Sequence, residues 1–352
     1  MIFLQIFFIF IFLSNCQNNN HKNNDLKFIH DQIQENHPGI FNKKDPSFKK
    51  NLKYNYIKAQ QAASDVSQNN KQIINTFIST FNDTHLSVHW YGEKPKILNS
   101  NPKQFQIKYF SKNIVWIDLP SFDFAKSQQQ DFSLILSKIK NFRKKNIIIF
   151  DLRGNQGGNS EYGSKLVDNL FGLDYAKQQR GLDYKNVYID WRISINNLNH
   201  LKNLYEQYKS PWIKNIIEGS EKKLQENQPY YTELLLDKSL STNIPLLNPV
   251  KAKIIVIIDE KNVSSTLDFI DELKIMTPNV ILLGKTTRAD RLYMEVRTIQ
   301  LPSKLGTFSF PIKVYRNRKR GDNVPYIPDF EIDTKDTTKL ENFILKCDPN
   351  AQ

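Results

Sequence analysis

The chain has 352 residues, of which 39% are hydrophobic and 12% aromatic, enough apolar material for a buried core and too much for a globally disordered protein. Lys and Arg total 49 against 36 Asp and Glu, a net charge of +13, which favours anionic surfaces or reflects a compositional bias in Lys, Asn and Ile without specifying a function. Only Cys16 and Cys347 are present; with Cys16 acylated no intramolecular disulfide remains, and the fold must then rest on its core.

The first element is an almost wholly apolar run, Met1 to Leu13, closed by Ser14-Asn15-Cys16 and the polar run QNNNHKNN. About a dozen apolar residues are too few to span a bilayer and match a signal-peptide core. The Leu-Ser-Asn-Cys ending resembles a bacterial lipobox, which makes Cys16 a candidate lipid-attachment site and residues 17–24 a tether. Asn15 replaces the usual small residue, and no basic residue precedes the apolar core. A lipid-anchored or periplasmic position in a bacterial envelope is the corresponding expectation.

Residues 25–95 read as an N-terminal helical cap. Leu26, Phe28, Ile29 and Ile33, then Ile73, Ile74, Phe77 and Ile78, recur at helical spacing, with a break at His37-Pro38-Gly39. From about residue 100 to 340 the texture is α/β. The runs Asn146–Phe150, Ile254–Ile258 and Val280–Leu283 are continuously apolar, as strands buried on both faces are, and helical stretches separate them. Residues 165–245, polar and rich in Asn, Lys and Tyr, read as a helical insertion over the site, and residues 341–352 as a C-terminal tail. The basic run Arg316 to Arg320 reads as a solvated hairpin tip beside Gly321, with a phosphate-binding patch as the alternative.

Two segments carry chemistry. Asp151-Leu152-Arg153-Gly154-Asn155-Gln156-Gly157-Gly158 follows a buried strand directly. Neighbouring glycines allow a close backbone approach and convergent N–H groups, and the segment has neither the P-loop nor the dinucleotide-binding spacing. That favours an oxyanion hole over a phosphate cradle. The second segment is Asn262-Val263-Ser264-Ser265-Thr266-Leu267-Asp268, where a strand gives way to a helix. A serine there is either a nucleophile at a helix N-terminus or merely the helix cap.

The eight residues 151–158 resemble the D-L-R-x-N-x-G-G signature of the tail-specific (C-terminal processing) protease family. Ser265-Thr266-Leu267-Asp268 stands where that family carries its S-A-x-E/D nucleophile motif, which selects Ser265 over Ser264. Asn82-Asp83-Thr84-His85 resembles the D-G-H-T segment of its tricorn-like and retinoid-binding-protein-like branch. His37-Pro38, Gly284–Thr287 and Tyr326–Asp329 agree in order, so the likeness spans about residues 25–335. The resemblance implies a crotonase-like ββα superhelix core and a serine-type peptidase. Its oxyanion hole would come from Gly157, Gly158 and Thr266. The lysine base of the processing proteases is missing: its neighbourhood reads Thr287-Arg288-Ala289-Asp290-Arg291. A PDZ-like stretch is missing as well, and both absences point to the histidine-using branch. His85 is then the candidate base and Asp290 the candidate carboxylate behind it, with Asp268 and Glu295 as rivals. A peptide or protein substrate is implied. No metal, organic cofactor or nucleic-acid partner is. A catalytically silent, lipid-anchored binder of peptides or hydrophobic ligands on the same fold is the competing reading.

Overall fold

A computed structural model describes residues 24–65, 67–92, 104–235, 245–333 and 336–347. The leader and Cys16 lie outside the described residues. Two compact units are formed, and the chain passes between them repeatedly. Of the described residues, those within 1–95, 188–234 and 291–317 belong to the first and the others to the second.

The first unit begins with α1 (residues 24–36), α2 (Pro46–Ser64) and α3 (Asn70–Ser79). Pro46 opens α2 at a position whose N–H would have no helical partner, and the Asn69 side chain caps α3 by accepting from the Lys71 N–H. Ile73, Ile74, Phe77 and Ile78, the apolar stripe of α3, are buried. Strand β1 (Ser87–Trp90) follows.

In the second unit come β2 (Gln106–Tyr109), β3 (Ile114–Asp118), α4 (Gln129–Ile139), β4 (Ile147–Asp151), α5 (Ser160–Phe171) and α6 (Leu173–Asp183). The chain then returns to the first unit for β5 (Tyr188–Arg192), α7 (Ile195–Tyr208), α8 (Pro211–Gln225) and β6 (Tyr230–Leu234). Strand β7 (Lys253–Ile258), α9 (Ser265–Met276) and β8 (Val280–Gly284) belong to the second unit. The first unit is completed by β9 (Tyr293–Gln300) and β10 (Gly306–Arg316), the second by β11 (Phe330–Glu331) and α10 (Thr337–Lys346).

The second unit's sheet has the order β11-β8-β7-β4-β3-β2, with β3, β4, β7 and β8 mutually parallel. Side chains alternate between its faces, and both faces are covered. Val115, Ile148, Phe150, Ile254 and Val256 meet Ile135 of α4, Leu166 and Leu170 of α5, and Leu267 and Ile270 of α9. Trp116, Ile147, Ile149, Ile255 and Ile257 face the other way, against Leu340 and Ile344 of α10. Double coverage is why these strands are apolar without interruption. Phe150 stands opposite Ile117 and Val256, a register that brings Asp151 and the following glycine turn to the same edge as the end of β7.

The first unit's sheet has the order β1-β10-β5-β6, with β9 also on β10, and every pairing is antiparallel. The stretch 165–245 is therefore not a single helical insertion. Its first part, in α5 and α6, supplies Leu166, Val167, Leu170, Phe171 and Ala176 to the core of the second unit. Its middle part adds β5 and β6 to the sheet of the first. Likewise residues 25–95 are not wholly helical, since β1 pairs with β10, and β9 and β10 are not part of the parallel-sheet core. Amphipathic helices and half-buried antiparallel strands carry fewer apolar residues than doubly covered ones. Their polar texture therefore looks like an insertion in the sequence.

Candidate active site

Ser265 is the first residue of α9, 3% exposed, and its Oγ has no hydrogen-bond partner among the described residues. Ser264 precedes it at φ 60°, ψ −131°, a conformation that costs a non-glycine residue of order 1–3 kcal/mol, and its side chain makes no cap hydrogen bond. The helix-cap reading of this serine pair is thus not the arrangement adopted. The strained Ser264 turns the chain sharply from the loop after β7 into α9, and leaves the Ser265 hydroxyl at the positive end of the helix dipole.

Against this turn lies the segment after β4. A Cβ on Gly157 would come within 2.9 Å of the Ser264 Cβ and of the Val263 carbonyl oxygen, so the two loops touch through the glycine's missing side chain. Two buried amides fasten them. Asn155 Nδ2 donates to the Leu119 carbonyl at 2.9 Å, and its Oδ1 accepts from the Gly157 N–H at 2.9 Å and from the Thr266 hydroxyl at 2.7 Å. Asn262 Nδ2 donates to the carbonyls of Leu152 (2.6 Å) and Asn155 (2.9 Å). Asp151 braces the turn by accepting from the Arg153 N–H at 3.0 Å and Nε at 2.8 Å. Asn262 had no role assigned from sequence. The signal for it, a buried polar side chain just ahead of the serine, becomes visible only when the loops are seen together.

Of the three residues expected to form an oxyanion hole, Gly157 has its N–H committed to Asn155, and the Thr266 N–H makes a long, 3.3 Å bond to the Val263 carbonyl. The Gly158 N–H takes part in none of these bonds. Gly158 sits at φ 132°, and a Cβ there would lie 2.1 Å from the carbonyl carbon of Phe122, whose N–H and C=O bond the carbonyl of Gly157 and the N–H of Asn159. No relaxation of a side chain can relieve a clash with backbone. Gly158→Ala is therefore expected to destabilise the protein by at least about 3 kcal/mol in urea unfolding, whereas Gly154→Ala, with nothing within 4 Å of its Cβ, costs only about 1–2 kcal/mol for its positive φ. Equal losses for the two variants would contradict the close approach at Gly158.

The first unit carries the histidine. His85 lies in the turn between α3 and β1, where Asp83 Oδ1 accepts its backbone N–H at 2.9 Å and stands 3.6 Å from its ring Nδ1. Burial opposes ionisation of Asp83, yet the facing imidazoles of His37 and His85 hold its carboxyl well below the usual carboxylate range. Asp83 is thus the carboxylate that the fold sets beside His85.

Asp290, the expected carboxylate partner, belongs to the second unit. It is fully buried and accepts hydrogen bonds from Arg318 Nη2, at 3.1 Å, and from Arg320 Nη1. The same arginines reach Asp268 on α9, each at 3.3 Å, and Arg320 Nε also donates to Asp271. The basic run 316–320 is accordingly not a solvated tip. Arg318 and Arg320 tie the residues after β10 to the helix that begins with Ser265, and Arg316 donates to Asp190 at 2.7 Å within the first unit. The rival Glu295 pairs with the buried Lys313 at 3.2 Å. Among the described residues, no group of three or more His, Cys, Asp or Glu side chains is placed to hold a metal ion.

A strand-end glycine turn stapled to a buried, unpartnered serine at a helix N-terminus is an acyl-transfer geometry. The model of peptidase family S41 matches residues 113–332, more than half of the chain and inclusive of both loops. The chain belongs to peptidase family S41. A search of curated proteins returns no match. Among solved structures, this S41 chain is similar to mature CPAF complexed with lactacystin, at 12% identity and a TM-score of 0.57, covering 94% of this chain and 99% of that one. It is also similar to a putative peptidase from Parabacteroides merdae ATCC 43184, at 13% identity and a TM-score of 0.51, covering 93% and 96%. At such identities the likeness establishes the fold: a mixed α/β protein with N-terminal helices and the crotonase-like S41 core expected from the sequence.

Proposed function

We propose that this S41 member is an active serine peptidase with Ser265 as nucleophile and His85 as general base. The observation that carries the proposal is the Ser265 hydroxyl: buried, without a hydrogen-bond partner, and held at the α9 N-terminus against the glycine turn. In the proposed reaction, His85 Nε2 takes the Ser265 proton as Oγ bonds to the peptide carbonyl carbon. The resulting oxyanion accepts from the Gly158 N–H and is favoured by the helix dipole. His85 then returns the proton to the leaving amine as the C–N bond breaks. Water, deprotonated by the same imidazole, releases the acyl group and regenerates Ser265. Asp83 takes the orienting role in preference to Asp290, because it already faces His85 Nδ1.

A fluorophosphonate probe is expected to label the folded protein, with the adduct mapping to Ser265 by peptide mass spectrometry. A folded chain that neither takes the label nor cleaves a denatured protein substrate would instead favour the silent binding protein. The leader and Cys16 support an acylated, envelope-anchored form of this peptidase. Mass spectrometry of the mature N-terminus in a bacterial host should find a diacylglyceryl Cys16, and a start at any other residue rules the anchor out.

A further inference from the structure

The Asp83 carboxylate faces two imidazoles. While Oδ1 serves His85, Oδ2 lies 3.6 Å from Nε2 of His37, with both side chains wholly inaccessible to solvent. The His37 ring is fixed in identity as well as position. Its Nδ1 accepts the Gly39 N–H at 2.9 Å, which makes His37 the cap of the short helix Pro38–Phe41 and leaves the ring proton on Nε2, toward Asp83. Phe48 stacks on the ring at 4.4 Å between centroids, and Tyr293 meets it edge-on at 4.8 Å.

The other charged groups near His37 are already matched. Asp45 accepts from Arg291 Nη2 at 2.6 Å and from the Tyr293 hydroxyl at 3.0 Å, and the Tyr293 hydroxyl in turn accepts from Asn42 at 2.9 Å. Burial pushes the His37 imidazole below its ordinary value, against the pull of Asp83, and Arg291 pushes the same way. A second proton on His37 would have to enter at Nδ1 and break the Gly39 bond. The ring therefore stays a neutral donor near neutral pH. Among the described residues neither Asp83 Oδ2 nor His37 Nε2 completes a hydrogen bond, so the 3.6 Å approach of the two is the contact that faces this oxygen, and an ionised, fully buried carboxylate without a donor on one oxygen carries a desolvation penalty.

We propose that His37 is a positioning residue for the S41 reaction: from behind Asp83, its Nε2–H holds that carboxylate turned so that the opposite oxygen faces Nδ1 of His85. The inference rests on His85 acting as the base. In this arrangement the chain of groups runs His37 Nε2–H to Asp83 Oδ2, then Asp83 Oδ1 to His85 Nδ1, which keeps the His85 proton on Nδ1, the tautomer whose lone pair is on Nε2. His37 touches neither the substrate nor Ser265 in this role. Its effect is transmitted through Asp83 to the basicity and tautomer of His85.

The test compares His37→Phe, which keeps the stacked ring and removes the donor, with His37→Gln, which keeps a donating amide. Each is read by kcat and KM for a peptide, by urea unfolding, and by a nuclear magnetic resonance titration of the His85 ring. In folded His37→Phe, kcat is expected to fall about 10- to 100-fold with KM unchanged, the scale seen when a working imidazole loses its outer partner. The His85 titration midpoint should move to lower pH, and His37→Gln should recover most of both. A folded His37→Phe variant with an unmoved His85 midpoint overturns the proposal, whatever its activity. So does a loss of kcat that merely follows the loss of folded protein. Should His37→Phe not fold, His37→Gln decides alone: its His85 midpoint must stay within a few tenths of a pH unit of wild type, and a larger shift overturns the proposal. If the wild type hydrolyses no peptide while the midpoint still moves in His37→Phe, the peptidase reading fails and the hold of His37 on Asp83 stands.

Discussion

Ser265→Ala is expected to abolish both fluorophosphonate labelling and peptide hydrolysis, a fall in kcat of about six orders of magnitude on the scale of other serine peptidases stripped of their nucleophile. The substitution removes one oxygen that has no hydrogen-bond partner to lose, so folding stability should stay within about 1 kcal/mol of wild type. That combination of lost chemistry and retained stability separates a nucleophile from a structural hydroxyl. Ser264→Ala provides the contrast. It leaves the nucleophile in place but keeps a Cβ at φ 60°, and Ser264→Gly, which relieves the strain, should raise stability by about 1 kcal/mol. Labelling that persists in Ser265→Ala and disappears in Ser264→Ala would assign the nucleophile to the wrong neighbour.

Next in size is His85→Ala, expected to lower kcat by roughly two to four orders of magnitude with little change in KM, because a general base acts on the proton in flight rather than on bound substrate. Slower fluorophosphonate labelling should accompany the loss, since that reaction needs the same deprotonation. The pH dependence carries a second signature. In wild type, kcat/KM should fall on the acid side as the His85 imidazole becomes protonated, and His85→Ala should lose that limb. Near-normal turnover in the variant would transfer the role of base to another residue. Asp83→Asn, which cannot accept charge from the imidazole, would then be expected to do no harm either.

The sequence alone determined the elements whose amino acids admit one solution. Ile147–Phe150 and Ile254–Ile258 are apolar at every position because helices cover both sheet faces, so parallel strands could be named without a partner in view. The glycine turn was equally legible. A bare glycine pair says little, but the full segment Asp151–Gly158 after such a strand is specific, and Gly157 and Gly158 adopt φ 94° and 132°. The choice of Ser265 over Ser264 came from the family motif, and the unpartnered hydroxyl of the first α9 residue is consistent with it.

Tertiary structure alone decided what depends on residues distant in sequence. Residues 165–245 divide between two units because the helical and half-buried strand patterns in that stretch do not say which sheet they will join. Arg318 and Arg320 read as solvated charges, since their carboxylate partners Asp268, Asp271 and Asp290 lie 28–52 residues away. The same arginines engage Asp290, while Asp83, only two residues from His85, stands 3.6 Å from the imidazole Nδ1. A three-residue segment such as Asp83-Thr84-His85 shows nothing of this, because only a turn that folds the aspartate back onto the histidine's own N–H brings the two side chains together. His37 is the extreme case. Forty-six residues separate it from Asp83, and burial, which no local pattern records, is what makes their contact matter.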